Sequence, residues 1–280
     1  MSLFTLAQNL IPQQALSELA GSLAKSQNPY VKKALIHSFA KAYGITLDEY
    51  ERGLLDDYAS FNDFFTRELK DNTRPIDADT NSIICPADGT VSQAGTIPHQ
   101  SILQAKGRDY EVGQLLADYD DGQYFIDGSF ATIYLAPSNY HRVHLPFDGK
   151  LIATRYVPGT LFSVNNATAE SVPDLFARNE RLVCLFETEF GRAAVVLVGA
   201  MIVAGIECVA TGQIRRTPYI QYRTHDMNMK KGDELGRFYL GSTAIVVLPK
   251  SAGNTWLDGI THGQKVVMGQ AIGTLASATA

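Results

Sequence analysis

The chain has 280 residues, 45% of them hydrophobic and 19% charged, with a formal net charge of −5 at neutral pH. That balance supports a full buried core and excludes a disordered chain or a general nucleic-acid binder. Its three cysteines, Cys85, Cys184 and Cys208, are far apart and form no C-x-x-C pair, which excludes a disulfide framework and a zinc ribbon and fits a reducing compartment.

The charge is uneven. Up to Thr46 the chain carries Lys25, Lys32, Lys33 and Lys41 against Glu18 alone, so this segment is +3 and the remainder −8. Within it Leu3, Phe4, Leu6, Leu10, Ile11, Leu16, Leu19, Leu23, Val31, Leu35, Ile36 and Phe39 recur at helical spacing. The pattern predicts two or three amphipathic helices joined at Pro12 and at Asn28-Pro29. Such helices either dip into an anionic membrane surface with their lysines at the headgroups, or pack on the rest of the domain. Thr46-Leu-Asp-Glu49 and Ser60-Phe-Asn-Asp63 read as further helix starts, with helix continuing to about Leu69. Met1 to Pro12 lacks the basic start and cleavage site of a signal peptide. The longest uncharged run, Ala193 to Ile206, counts 14 residues, too few for a membrane span, and is read as two buried strands.

After Asp71-Asn72-Thr73-Arg74-Pro75 the helical period gives way to short β-rich runs punctuated by Gly, Pro and Asp. The expected organisation is therefore α+β: a helical region over residues 1–72, membrane-associating on one of the two readings above, and a β-rich barrel- or sandwich-like domain over 73–280. Two internal echoes support the β reading. Pro86-Ala-Asp88-Gly89-Thr-Val91 recurs as Pro146-Phe-Asp148-Gly149-Lys-Leu151, and Gly232-Asp-Glu-Leu235-Gly236 recurs as Gly269-Gln-Ala-Ile272-Gly273.

Two stretches carry chemistry. Phe130 to Leu135 is an apolar strand that runs into a proline-bracketed loop holding His141 and His144, close enough to share a site if the loop curls. They are poorly placed for a helical metal pair, and structural roles for both stay open. Further on, Gly241-Ser242-Thr243 precedes the β-branched run Ala244-Ile-Val-Val-Leu248, so Ser242 is expected at the edge of a buried strand. A Gly-Ser bond exposes its carbonyl to five-membered attack by its own hydroxyl, which suggests self-processing. An ordinary strand serine bonded to a neighbouring backbone group is the other reading.

Taken together, Phe61-Asn-Asp-Phe-Phe-Thr-Arg-Glu-Leu69, Pro86-Ala-Asp88-Gly-Thr-Val91, Tyr140-His141-Arg-Val-His144-Leu-Pro146, Val157-Pro-Gly-Thr-Leu-Phe-Ser-Val-Asn165, Leu175-Phe-Ala-Arg-Asn-Glu-Arg181 and Leu240-Gly-Ser-Thr243 run in the order seen in one family. The chain resembles the phosphatidylserine decarboxylase proenzymes, specifically the bacterial, pyruvoyl-dependent type with a Leu-Gly-Ser-Thr cleavage motif. It departs from that pattern at Asn166, where proline is expected, and over Pro218 to Met229, which matches no motif.

The resemblance implies self-cleavage between Gly241 and Ser242 into a β chain, 1–241, and a 39-residue α chain, 242–280. Ser242 would become the covalent pyruvoyl group, which forms a Schiff base with phosphatidylserine and releases CO2 and phosphatidylethanolamine. By the same resemblance, His144 would be the base for cleavage, oriented by Asp88, so that Ser242, His144 and Asp88 form a triad. His141 would be the acid that reprotonates the substrate carbon, with neither a metal nor an external cofactor required. The resemblance also implies a peripheral enzyme on the cytoplasmic side of the cell membrane, an α/β heterodimer that pairs into a homodimer.

Two other classes compete. The Gly263 to Gly273 hairpin is similar to a lipoyl or biotin carrier module, with Lys265 as the modified residue, though no Met-Lys or Asp-Lys stands at a hairpin tip. A serine hydrolase would use the same three residues, but the chain has no G-x-S-x-G elbow.

Overall fold

The computed structural model describes residues 13–105, 107–201, 205–239 and 241–276. Of the apolar positions read as helical, those from Leu3 to Ile11 lie outside the described residues, as does Leu240 of the cleavage motif. Two helices follow as the spacing predicts, Gln13–Ala24 and Pro29–Tyr43. The second is started by the Asn28 side chain, which accepts from the backbone N–H groups of Tyr30 and Val31, with Pro29 at the first helical position. Such a cap is worth about 1 kcal/mol. Gly44 stops the helix in the left-handed conformation.

The next two helix starts fare differently. Ser60 caps Phe61–Phe65 by accepting from the Asp63 N–H. Thr46 starts nothing: the Glu49 carboxylate that should complete its capping box is drawn instead to the Arg74 guanidinium at 2.9 Å. Helix also ends at Phe65 rather than near Leu69, because Leu69 bridges to Tyr50 and Arg67 turns inward. The helices bury Ile36, Ala40, Tyr58, Phe61, Phe64 and Phe65 in a core of their own. Phe39 meets the Phe61 and Phe65 rings at 5.1 and 5.8 Å.

The β region is built on one eight-stranded antiparallel sheet. Its order is Gln221–Met229, Gly149–Val157, Arg181–Thr188, Gly191–Gly199, Ser242–Leu248, Ser129–Leu135, Gly89–Thr96 and Lys265–Val266. Both faces of the central strands are covered. Ala193, Val195, Leu197, Ala244 and Val246 enter one apolar core, and Ala194, Val196, Val198, Ile245 and Val247 enter another. A strand buried on both faces reads as an unbroken apolar run. That accounts for the uncharged stretch after Ala193, which forms Gly191–Gly199 and Gly205–Cys208, and among the described residues no helix is long and apolar enough to cross a membrane.

A smaller sheet of Gly212–Gln213, Gly205–Cys208, Glu234–Tyr239 and Arg142–His144 lies over the first face, where Val143, Leu145, Leu235 and Phe238 join its core. The architecture is thus α+β as expected, but the described sheets stay open and no closed barrel forms. Both Asp-Gly echoes open strands of the large sheet, at Gly89 and Gly149. In the other echo, Gly232 and Gly269 turn at φ of +93° and +89°, and a side chain on either would meet Ile76.

Candidate active site

The chain passes from the smaller sheet to the large one between Tyr239 and Ser242. Gly241 makes this turn at φ +59°, and no atom lies closer than 3.9 Å to where its Cβ would be. The position needs glycine for its backbone angle, not for room. Ser242 is then the first residue of the central strand and fully buried, paired with Leu135 on one side and Gly199 on the other. By the two-residue period its side chain shares the face of Ala244 and Val246, the face covered by the sheet that carries His144. The Oγ of Ser242 has no hydrogen-bond partner among the described residues. Leaving a buried hydroxyl unpaired costs about 1–3 kcal/mol, so the strand-serine reading, which needs a bonded hydroxyl, does not hold.

His141 lies in the loop as expected, but His144 ends the Arg142–His144 strand, drawn out by pairing with Glu234, and both present the same tautomer. His141 Nδ1 lies 2.8 Å from the Asn139 carbonyl and His144 Nδ1 lies 2.7 Å from the Gly232 carbonyl. A carbonyl only accepts, so each Nδ1 carries the hydrogen and each Nε2 keeps a lone pair. On His144 that lone pair accepts from the Tyr140 hydroxyl at 3.0 Å; on His141 it is buried without a partner among the described residues. Burial favours the neutral ring in both. It pushes His141 down to about 3, where the Asn139 carbonyl works in the other direction and the Arg67 charge adds to the fall. It also lowers His144, against the opposing pull of the Gly232 carbonyl and of Glu234.

Asp88 is engaged elsewhere. Its oxygens accept from Arg74 Nε at 3.1 and 3.2 Å and from Arg74 Nη2 at 2.8 Å, and Oδ1 also accepts from the Met268 N–H at 2.8 Å. No hydrogen bond joins it to His144 among the described residues. The two sit near each other because the His144 N–H bonds the carbonyl of Pro86 at 2.8 Å, and the Asp88 charge favours the protonated ring. The structure therefore brings Asp88 and His144 within electrostatic reach, and leaves Ser242 unbonded to either. The Gly232 carbonyl performs the tautomer selection that a triad carboxylate would.

Sequence reading missed four contributors. Tyr140 stands beside His141 within a quoted motif, and Arg67 lies within the Phe61 to Leu69 motif, so both were within sight. Arg74 falls in the stretch that separates the helical from the β-rich region, and Tyr50, whose hydroxyl accepts from Arg67 at 3.0 Å, lies in no motif. Tyr140 bonds His144 directly, Arg67 and Tyr50 approach His141 from the helical side, where the Phe65 ring lies 4.0 Å from the His141 ring, and Arg74 acts through Asp88.

A family model described as phosphatidylserine decarboxylase matches residues 61–274, which span Arg67, Asp88, both loop histidines, Gly241 and Ser242. The chain belongs to the phosphatidylserine decarboxylase family. A second model, described as PSD, matches residues 3–44. The phosphatidylserine decarboxylase proenzyme of Psychrobacter cryohalolentis is 68% identical over 274 residues, 98% of this chain and 99% of that protein. That of Psychrobacter arcticus is 68% identical over 270 residues, 96% of this chain and 98% of its own length. The Acinetobacter baumannii (strain AYE) proenzyme is 54% identical over 271 residues, 97% and 95% of the two chains. Membership in the decarboxylase family displaces the carrier reading. Lys265 opens a two-residue strand paired with Thr90 rather than standing at a hairpin tip.

Proposed function

We propose that this chain is a proenzyme that cuts itself between Gly241 and Ser242 and then converts phosphatidylserine to phosphatidylethanolamine and CO2. The observation that carries the reading is the orphaned, fully buried Ser242 hydroxyl directly after a left-handed glycine, in a chain of this family.

His144 Nε2 takes the Ser242 hydroxyl proton once Tyr140 gives way, and Asp88 stabilises the resulting imidazolium through its field. Ser242 Oγ attacks the Gly241 carbonyl, the C–N bond breaks, and an ester with a free amine is left. Removal of the Ser242 Cα proton then breaks the ester C–O bond. Gly241 departs as a carboxylate and a carbon–carbon double bond remains at 242. Water enters and ammonia leaves to give the ketone. Complete burial of Ser242 serves this order, since water reaching the ester would hydrolyse it and return an ordinary serine.

The orphaned hydroxyl marks position 242 as suited to a pyruvoyl group, which supplies an electrophilic ketone able to accept the electron pair released with CO2. His141 Nε2, also buried without a partner among the described residues, is the proton carrier for the lipid reaction. The Ser242–Leu248 strand is hydrogen-bonded on both edges, so the cut leaves the α chain clamped in the sheet, an α/β heterodimer. The acyl chains of the substrate stay in the bilayer, which assigns membrane attachment to residues 1–72, on an anionic surface at the cytoplasmic side, with the α/β unit pairing into a homodimer.

A denaturing mass spectrum tests the proposal. Two chains are expected, the smaller beginning with a ketone at 242, and Ser242→Ala should give one intact chain. Active material consisting of a single unbroken chain would defeat it.

A further inference from the structure

Arg67 remains without a role. Its side chain is fully buried at 1% exposure, yet among the described residues no carboxylate pairs with it. Nη2 donates to the Tyr50 hydroxyl at 3.0 Å and to the carbonyls of Ser138 at 2.9 Å and Asn139 at 3.4 Å; Nη1 reaches the Phe64 carbonyl at 3.5 Å. Its Nε has no partner among the described residues. The rings of Tyr50 and Phe64 lie 4.3 and 5.2 Å from Cζ. Burying a guanidinium among neutral partners is costly, and an apolar side chain would fill the same space at no such cost.

What Arg67 holds is the approach to His141. The Asn139 carbonyl that accepts from Arg67 is the same oxygen that accepts from His141 Nδ1–H, and a carbonyl has lone pairs for both. With that oxygen fixed, the ring hydrogen stays on Nδ1. The Phe65 ring at 4.0 Å limits any flip of the imidazole. From the Glu234–Tyr239 strand, the Phe238 N–H donates to the backbone oxygen of His141. Among the described groups the one charge acting on the imidazole is therefore the positive one of Arg67, and it opposes a second positive charge.

We propose that Arg67 is a positioning residue that holds His141 as a neutral imidazole with Nε2 open, so that His141 enters the lipid reaction as a proton acceptor. The use of His141 rests on the function proposed above; the tautomer rests on the contacts of Arg67 alone. The serine headgroup arrives as an ammonium, which has no lone pair with which to attack a ketone. Burial beside Arg67 makes the ammonium itself a stronger acid, and His141 Nε2 takes one proton from it: the substrate N–H bond breaks, the Nε2–H bond forms, and the pair stays on the substrate nitrogen. The imidazolium, made a strong acid by burial beside Arg67, later gives that proton to the carbon from which CO2 has left. Water lost when amine and ketone join returns at product release, and the product amine recovers its proton from solvent. This reverses the order expected from sequence, in which His141 is only the acid.

The test uses the whole self-processed enzyme with 15N-labelled histidine, the His141 signals being assigned by their loss in His141→Asn. Nitrogen chemical shifts should show His141 Nε2 unprotonated and unchanging from pH 5.5 to 8. In Arg67→Met, His141 should show mixed tautomers, and kcat at neutral pH should fall on the order of tenfold or more. Arg67→Lys keeps the charge without the planar fork, so it should leave the ring neutral with mixed tautomers. Folded Arg67→Met with the wild-type His141 signals would overturn the proposal. Should that variant fail to fold, Arg67→Lys carries the test, and wild-type tautomer there overturns it equally. Full decarboxylation by His141→Asn would instead defeat the use of His141 and leave the tautomer assignment standing.

Discussion

The Tyr140 hydroxyl donates to Nε2 of His144 across 3.0 Å, and the two rings stack with centroids 5.7 Å apart at 29°. The atom assigned to accept the Ser242 proton is thus already occupied. Tyr140 lies in a small buried cluster with Tyr50 and Met268, and burial raises its own hydroxyl well above the usual tyrosine range, to a value at which it remains a donor. Tyr140→Phe should free the lone pair and speed self-cleavage by about 2- to 10-fold, the equivalent of one neutral hydrogen bond. A time course of chain cleavage on a denaturing gel measures this. Slower cleavage would make Tyr140 a necessary member of the proton path.

Asp88 has a structural duty besides its field. Its side chain is 8% exposed and that of its partner Arg74 is 12% exposed, while Glu49, the other partner of Arg74, is 53% exposed. Asp88→Asn should cost about 3 kcal/mol, the low end for breaking a buried pair, because Glu49 still neutralises Arg74. Glu49→Gln should cost less than about 1 kcal/mol. Denaturant unfolding in a Ser242→Ala background, which keeps one chain, compares them. Equal costs would contradict the burial argument.

His141 also makes stability depend on pH. Its ordinary value is 6.5 and the fold lowers it to about 3, so below pH 6.5 the unfolded chain binds a proton that the folded chain refuses. The stabilisation is complete above 6.5 and declines by about 1.4 kcal/mol per unit as pH falls toward 3. His144 shifts in the same direction. In the Ser242→Ala background, His141→Asn should therefore lose about 2 kcal/mol less than the parent between pH 7 and pH 5. Identical losses would mean that the ring is not held neutral.

Membrane attachment is best tested by point changes. Leu19 and Leu23 are 62% and 47% exposed on the first described helix, whereas Ile36, Ala40 and the Phe61 and Phe65 rings beside Phe39 form the core beneath His141. Deleting the segment through Phe39 would disturb the histidine as well as the membrane contact. Leu19→Ser with Leu23→Ser should abolish flotation with anionic vesicles while leaving self-cleavage intact. Undiminished flotation would remove this helix from the membrane contact.

The order of elements, the α+β class, the buried strand after Gly241 and the loop holding His141 are determined by the sequence itself, whereas His144, expected in the same loop, ends the Arg142–His144 strand. Each rests on a local rule: a period, a cap, or a glycine before a β-branched run. Thr46 and the stretch up to Leu69 escape such rules, because Arg74 and Tyr50, close in chain but fixed by the β region, compete for the same groups. Only the tertiary structure decides that Asp88 binds Arg74 rather than His144, and that backbone carbonyls of Gly232 and Asn139 choose the histidine tautomers. A backbone carbonyl is the same group in every residue. Which of them meets an imidazole is set by how sheets and helices close on one another, and no residue identity records it.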